Sequence, residues 1–239
     1  MKQINLYLII SLTFLVIIYS TVSADWRSYV WTYQYITMPQ GHSELEFYHT
    51  VSRKDVNTWE YFIEVEHGIT NKFDIALYQI FINKEGGALS WEAVKIRGRY
   101  RFGEKDKYFV NPLIYIEYKW PLVPGKSDKL EFKLIVDKNI KSLNIAVNPI
   151  YELIFQPGIS HEFGVDIAAS YRFLKEKLGI GIEISNRTEI VENKLEAQDY
   201  IGPTLSYKAG TFYAAAGIQY GITRYASPLR GRSIIGIFF

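Results

Sequence analysis

Beyond residue 41 the chain alternates between apolar and polar positions. In "TFYAAAGIQYGI", residues 211–222, Phe212, Ala214, Ala216, Ile218, Tyr220 and Ile222 fall on one side of an extended strand. Thr211, Tyr213, Ala215, Gly217, Gln219 and Gly221 fall on the other. In "YFVNPLIYIEYKW", residues 108–120, Val110, Pro112, Ile114, Ile116, Tyr118 and Trp120 oppose Asn111, Tyr115, Glu117 and Lys119. Successive side chains of a strand point to opposite faces, so this period predicts strands with one apolar and one polar surface. Twelve are predicted, near 42–51, 57–67, 72–82, 91–103, 107–120, 128–137, 140–155, 159–173, 177–190, 198–208, 211–222 and 229–239.

The connections alternate too. "GITN", "GEKDK", "DKNIK", "KEK" and "KAG" are tight; "INKEGGALS", "PLVPGKSD", "VENKLEAQD" and "YASPLRG" are longer, with "SRKDVN" and "QPG" as the short members of that second set. Most strands reach the ~9–11 residues a tilted membrane strand needs, well above the ~5–6 usual in globular proteins. Short turns at one end and longer loops at the other are the plan of a bacterial outer-membrane barrel. A β-sandwich shares the alternation. Strand length, an export-type start without Cys and the placement of charge favour the barrel.

Charge keeps to one face. Glu44 and Glu46 oppose Leu45 and Phe47; Glu60, Glu64 and Glu66 oppose Trp59, Tyr61, Ile63 and Val65. Lys95, Arg97, Arg99 and Arg101 oppose Val94, Ile96, Tyr100 and Phe102. Glu117 and Lys119 share the polar face of 107–120, and Glu131 and Lys133 that of 128–137. A charge on the lipid face near the midplane costs ~2–4 kcal/mol, whereas inside a barrel both signs can pair. These thirteen residues are therefore expected to line a lumen. An acidic wall from the early strands meets a basic wall from 91–103. That arrangement is either a salt-bridged plug or a charged constriction that selects small solutes.

Composition narrows the class. There are 19 Tyr, 14 Phe, 5 Trp and no Cys, with a formal charge of +2. The near-neutral charge argues against a nucleic-acid partner. Residues 1–24 open with Lys2, continue apolar from about Leu6 to Tyr19, and end in Val22-Ser23-Ala24. This reads as a cleaved signal peptide. The mature chain then starts at Asp25, with 25–41 a periplasmic N-terminal segment and 42–239 the barrel. Trp59, Trp91 and Trp120 lie near the longer loops, and Tyr100, Phe102 and Tyr108 flank a tight turn, as interfacial aromatics do.

Two stretches carry a resemblance. "RGRSIIGIFF" places Ile235, Ile237 and Phe239 on one face and Arg230 and Arg232 on the other. It resembles the C-terminal signature of Gram-negative outer-membrane proteins, which implies recognition of Phe239, Ile237 and Ile235 by the barrel-assembly machinery. Pro39, Gly41, Glu44, Glu46 and the turn Gly68-Ile69-Thr70-Asn71-Lys72 resemble the opening of a broad group of small outer-membrane barrels described as transporters, including the phenol-degradation MetA-pathway type. The resemblance covers about forty residues and implies architecture.

The expectation is thus all-β: a transmembrane up-and-down antiparallel barrel of about twelve strands, exported to the outer membrane. Its partners would be outer-membrane lipid, the assembly machinery and a small polar solute passing through a porin-like channel. The alternative is a closed structural or adhesive barrel, then an outer-membrane lipid hydrolase. The hydrolase family's His-x-Ser is missing, since none of His42, His49, His67 and His161 is followed two residues on by Ser. Neighbouring Ser160 and His161 would point to opposite faces. "PGKS" at 124–127 lacks the earlier glycine of a phosphate loop. No enzyme activity, cofactor or metal is expected.

Overall fold

The computed structural model describes residues 26–156, 158–191 and 194–239. The signal peptide and its cleavage before Asp25 lie outside the described residues. Twelve strands form one closed antiparallel ring, each beside its neighbours in sequence and the last beside the first. They are β1 Ser43–Arg53, β2 Asn57–Thr70, β3 Phe73–Lys84, β4 Ser90–Arg101, β5 Asn111–Pro121 and β6 Asp128–Ile140. There follow β7 Leu143–Gln156, β8 Gly158–Phe173, β9 Leu178–Val191, β10 Lys194–Ala209, β11 Phe212–Gly221 and β12 Leu229–Phe238. The strand count and the up-and-down order agree with the sequence pattern.

Closure is achieved at the β1–β12 seam. Leu45 pairs with Ile237 and Phe47 with Ile235. Ser43 and Phe239 exchange both backbone hydrogen bonds, at 2.8 and 2.9 Å. A closed ring leaves no strand edge unpaired, the condition for standing in lipid. Eleven residues rising ~3.3 Å each and tilted ~40° span ~28 Å, a hydrocarbon thickness. Val65, Leu77, Ile96, Ile116, Ile182 and Ile218 project outward and are exposed, as a lipid-facing belt requires. Aromatics gather toward its rims: Tyr100 against Phe102 at 5.3 Å, Tyr171 against Phe173 at 4.7 Å and Tyr118 against Trp120 at 4.5 Å.

Both ends of the barrel strand order and five connections, four of them short, lie at one end, the turn end. The remaining connections form the loop end. Two boundaries differ from expectation. "VENKLEAQD" does not form a wide loop, because pairing continues to Lys194 opposite Val191 and Leu195 opposite Ile190. At the turn end, 102–110 is longer than the tight turn expected. Gly103 and Asp106 take positive φ of 81° and 61° there. The Asp106 amide donates to Asn111 Oδ1 at 2.7 Å, folding the connection back under the barrel.

The segment read as periplasmic does not hang below the barrel. It enters the lumen from the turn end and returns to the turn end before β1. Trp26, Tyr29, Val30, Trp31, Tyr35 and Met38 are all buried. They pack on apolar positions of the inner face. Val30, Trp31 and Met38 join Tyr78, Ile80, Ile234 and Phe238. Tyr35 sits with Leu113, Tyr115 and Ile135, and Tyr29 with Ala146 and Ala168. The molecule's core is therefore a plug–wall interface inside the ring.

Candidate lumen and its N-terminal plug

The plug runs as bent chain, with few partners for its own backbone. The wall supplies them. The Glu183 carboxylate accepts the backbone N–H groups of Val30, Trp31 and Thr32 at 2.8, 2.9 and 2.8 Å. Asn148 accepts from the Tyr33 amide at 2.6 Å and donates to its carbonyl at 3.0 Å. Asp137 accepts from the Tyr35 amide at 3.0 Å, and Asp74 from the Met38 amide at 2.9 Å. A buried N–H left unpaired costs ~1–3 kcal/mol, so these acceptors decide whether the segment can stay inside. The Tyr35 hydroxyl also donates to the Phe102 carbonyl at 2.7 Å, tying the plug to the long turn-end connection.

Cations hold the plug's aromatic faces. Arg27 lies 4.4 Å from the Tyr33 ring centre. Lys133 sits between Tyr33 and Tyr115, at 4.6 and 4.7 Å. Arg172 covers Trp26 at 5.0 Å and Arg230 covers Trp31 at 4.9 Å. Each such contact adds ~0.5–2 kcal/mol when partly desolvated. Glycines on the inner face leave room for the chain. A Cβ at Gly68 would lie 2.1 Å from the Pro39 carbonyl oxygen, and one at Gly217 would lie 2.8 Å from Val30 Cγ2.

Below the tip of the plug the acidic and basic walls meet. Arg97 pairs with Glu64 at 2.7 Å, with Glu66, and with Asp74 at 3.9 Å. Arg99 pairs with Glu66 and, at 2.7 Å, with Asp74. The side chains of Arg97 and Glu64 are 0% accessible, and those of Arg99 and Glu66 7% and 3%. Glu46 receives a hydrogen bond from Tyr213 and lies 3.8 Å from Arg27 of the plug. Glu44 is buried beside it and lines a narrow gap with Tyr33, Glu66 and Arg99. Arg101 stands at the turn-end rim, where its Nε donates to the Asn71 carbonyl at 2.8 Å.

Toward the loop end the interior is wetter. Lys95 pairs with Glu117 at 2.7 Å and is 19% accessible. Lys133 pairs with Glu131 at 3.2 Å, and Glu131 is 15% accessible. Arg187 is 28% accessible while gripping buried Asp166 at 2.9 and 3.1 Å. Glu60 and Lys119 are half-buried on the same face. The thirteen expected positions therefore divide by height. Most of those near the turn end are sealed in with the plug; nearer the loop end Glu60, Lys95, Lys119 and Glu131 are partly accessible, while Glu117 and Lys133 stay buried.

Sequence reasoning missed the plug-binding residues Asp74, Asp137, Asn144, Asn148 and Glu183. A signal for them existed. Leu113, Ile135, Ile234 and Phe238 are apolar yet occupy the polar face, which a water-filled pore would not favour. Tyr29, Trp31, Tyr33 and Tyr35 also alternate within the segment ahead of β1. Among the described residues no group of three His, Asp or Glu is placed to hold a metal ion.

No protein-family model and no curated protein matches the chain. Among solved structures it is similar to an outer-membrane channel from Pseudomonas putida F1, with a TM-score of 0.69, 7% identity, and coverage of 88% of this chain and 100% of that one. The chain has the fold of outer-membrane barrels. It is also similar to the KdgM porin in complex with disordered oligogalacturonate, TM-score 0.56, 13% identity, covering 82% of this chain and 98% of that one. The NanC porin stands alike at TM-score 0.56 and 11% identity, with 82% and 98% covered. At such identities the likeness is one of fold.

Proposed function

We propose that this protein is an outer-membrane channel for small polar or charged solutes, closed at rest by its own N-terminal segment. The turn end faces the periplasm and the loop end the exterior. The carrying observation is how the plug is seated. Both of its arms leave through the turn end, so it can withdraw without threading through the ring. Its contacts are hydrogen bonds to side chains, cation–aromatic contacts and apolar packing, all reversible. Above it the vestibule is lined by charges of both signs, as a path for small polar solutes needs. Two of the barrels it resembles in fold carry the name porin and a third is called a channel, which supports the same reading.

No catalytic role is assigned. The Tyr151 hydroxyl and His161 Nδ1 hydrogen-bond at 2.8 Å, whereas Ser160 Oγ donates to Glu189 at 3.1 Å, so the adjacent Ser and His serve different partners. The closed structural barrel is the second reading, favoured by the sealed ion-pair cluster around Arg97. Liposome swelling separates the two. A variant lacking residues 26–37 should admit small sugars and amino acids several-fold faster than the parent. A folded variant as impermeable as the parent would leave the structural reading standing.

A further inference from the structure

On the inner face of β12, Arg230 and Arg232 stand two residues apart at the level of the plug's tip. Arg97, Arg99 and Arg187 each have a carboxylate in contact. Arg230 and Arg232 have neutral partners instead. Arg230 donates through Nε and Nη2 to one amide oxygen, Gln219 Oε1, at 2.9 and 2.5 Å. Its guanidinium lies 3.6 Å from the centre of the Tyr200 ring. Arg232 donates to Thr50 Oγ1 at 2.8 Å and to the Val30 carbonyl at 3.3 Å. A guanidinium carries five N–H groups, so each arginine keeps donors to spare. The indole N–H of Trp31, whose ring lies beside both guanidinium groups, is buried and has no acceptor.

Among the described residues no carboxylate is in contact with this pair. Glu60 and Asp166 act on the pair from beyond contact distance, and the Glu183 carboxylate lies at the Val30 and Trp31 amides, committed to the plug backbone. Asp166 is already gripped by Arg187 through both oxygens. Arg187 also has Glu162 at 3.9 Å, so Asp166 and Glu162 are both engaged by Arg187 and neither contacts Arg230 or Arg232. Amide and hydroxyl oxygens satisfy donors but do not cancel charge, and a partly desolvated cation without an anion is unfavourable.

We infer that Arg230 and Arg232, with the Trp31 indole beside them, bind the carboxylate of a small solute at the floor of the vestibule. The inference rests on the channel reading for its purpose and names the solute class. The planar fork of a guanidinium matches a carboxylate in shape as well as charge, and two such forks with spare donors and no carboxylate in contact offer it a bidentate seat. The same Arg232 also holds the Val30 carbonyl, so the bound solute meets the plug itself.

The test is binding to the full-length barrel in detergent at low ionic strength, followed by calorimetry. Glucuronate and glucose are the probes, because they share a ring and differ by one carboxylate. Glucuronate should bind saturably and at least tenfold more tightly than glucose. The preference should vanish in the Arg230→Gln, Arg232→Gln double variant and survive in part when both are replaced by Lys. Equal or absent binding of the two sugars by the parent overturns the site, with no variant needed. So does full preference in a double variant shown to be folded by its heat-modifiable gel mobility. No current is measured, so the outcomes stay separate. A barrel that prefers glucuronate but never conducts keeps the site and loses the channel. One that conducts without preference loses only the site.

Discussion

At Glu183 one carboxylate serves three consecutive backbone N–H groups of the plug. Replacing it with Ala orphans all three at once, at ~1–3 kcal/mol each if they stay buried. The plug should leave instead, and its departure is easy to read. Arg27 is half-buried inside the ring in the seated plug, with Nη1 2.7 Å from the Tyr48 hydroxyl, which keeps its peptide bond from the extended fit trypsin needs. Cleavage after Arg27 should be at least tenfold faster in Glu183→Ala than in the parent. Equal rates would show that Glu183 does not hold the segment. Arg97 predicts something different. Its side chain is wholly enclosed among Glu64, Glu66 and Asp74. Arg97→Gln leaves buried carboxylates underpaired, which costs ~3–5 kcal/mol. The heat-modifiable band should convert at a clearly lower temperature, and an unchanged conversion temperature would contradict the sealed cluster.

At the level of elements, the strands were readable because lipid imposes a strict rule on one face. Ile114, Ile116 and Tyr118 had to alternate with Asn111, Tyr115 and Glu117 whatever filled the lumen. Their lengths were less readable. The extension of β10 back to Lys194 rests on cross-strand pairing with β9, not on local alternation. The plug was hidden for a related reason. Its partners lie far along the chain, as with Val30 and Glu183 at a separation of 153 residues. A local period cannot show them, although Leu113 and Ile135 on the inner face hinted that something apolar would meet them. The seam strand yields its own prediction. Phe239 exchanges two backbone hydrogen bonds with Ser43, and its ring faces outward, 40% exposed. Deleting Phe239 should sharply lower the amount of heat-modifiable barrel recovered from membranes while export continues. Undiminished assembly would remove the role proposed for the terminal Phe.

For the whole molecule, charged side chains face the inside of the ring, and its lower half is occupied by residues 26–41. The ion pairs are enclosed around Arg97 and more accessible toward the loop end, as at Lys95 and Arg187. The central claim is that the plug must move for solute to pass. Val30 and Gly217 offer a direct lock, because a Cβ at 217 would lie 2.8 Å from Val30 Cγ2, the place a cysteine sulfur at 30 would take, and a sulfur stands ~3 Å from the far Cβ in a disulfide. The chain has no Cys of its own to interfere. Single-channel current through the Val30→Cys, Gly217→Cys variant in a planar bilayer is the decisive measurement. Oxidised, it should be silent; after reduction it should open in brief steps like the parent. Equal conductance in both states, with the disulfide verified, would contradict a plug that gates the barrel.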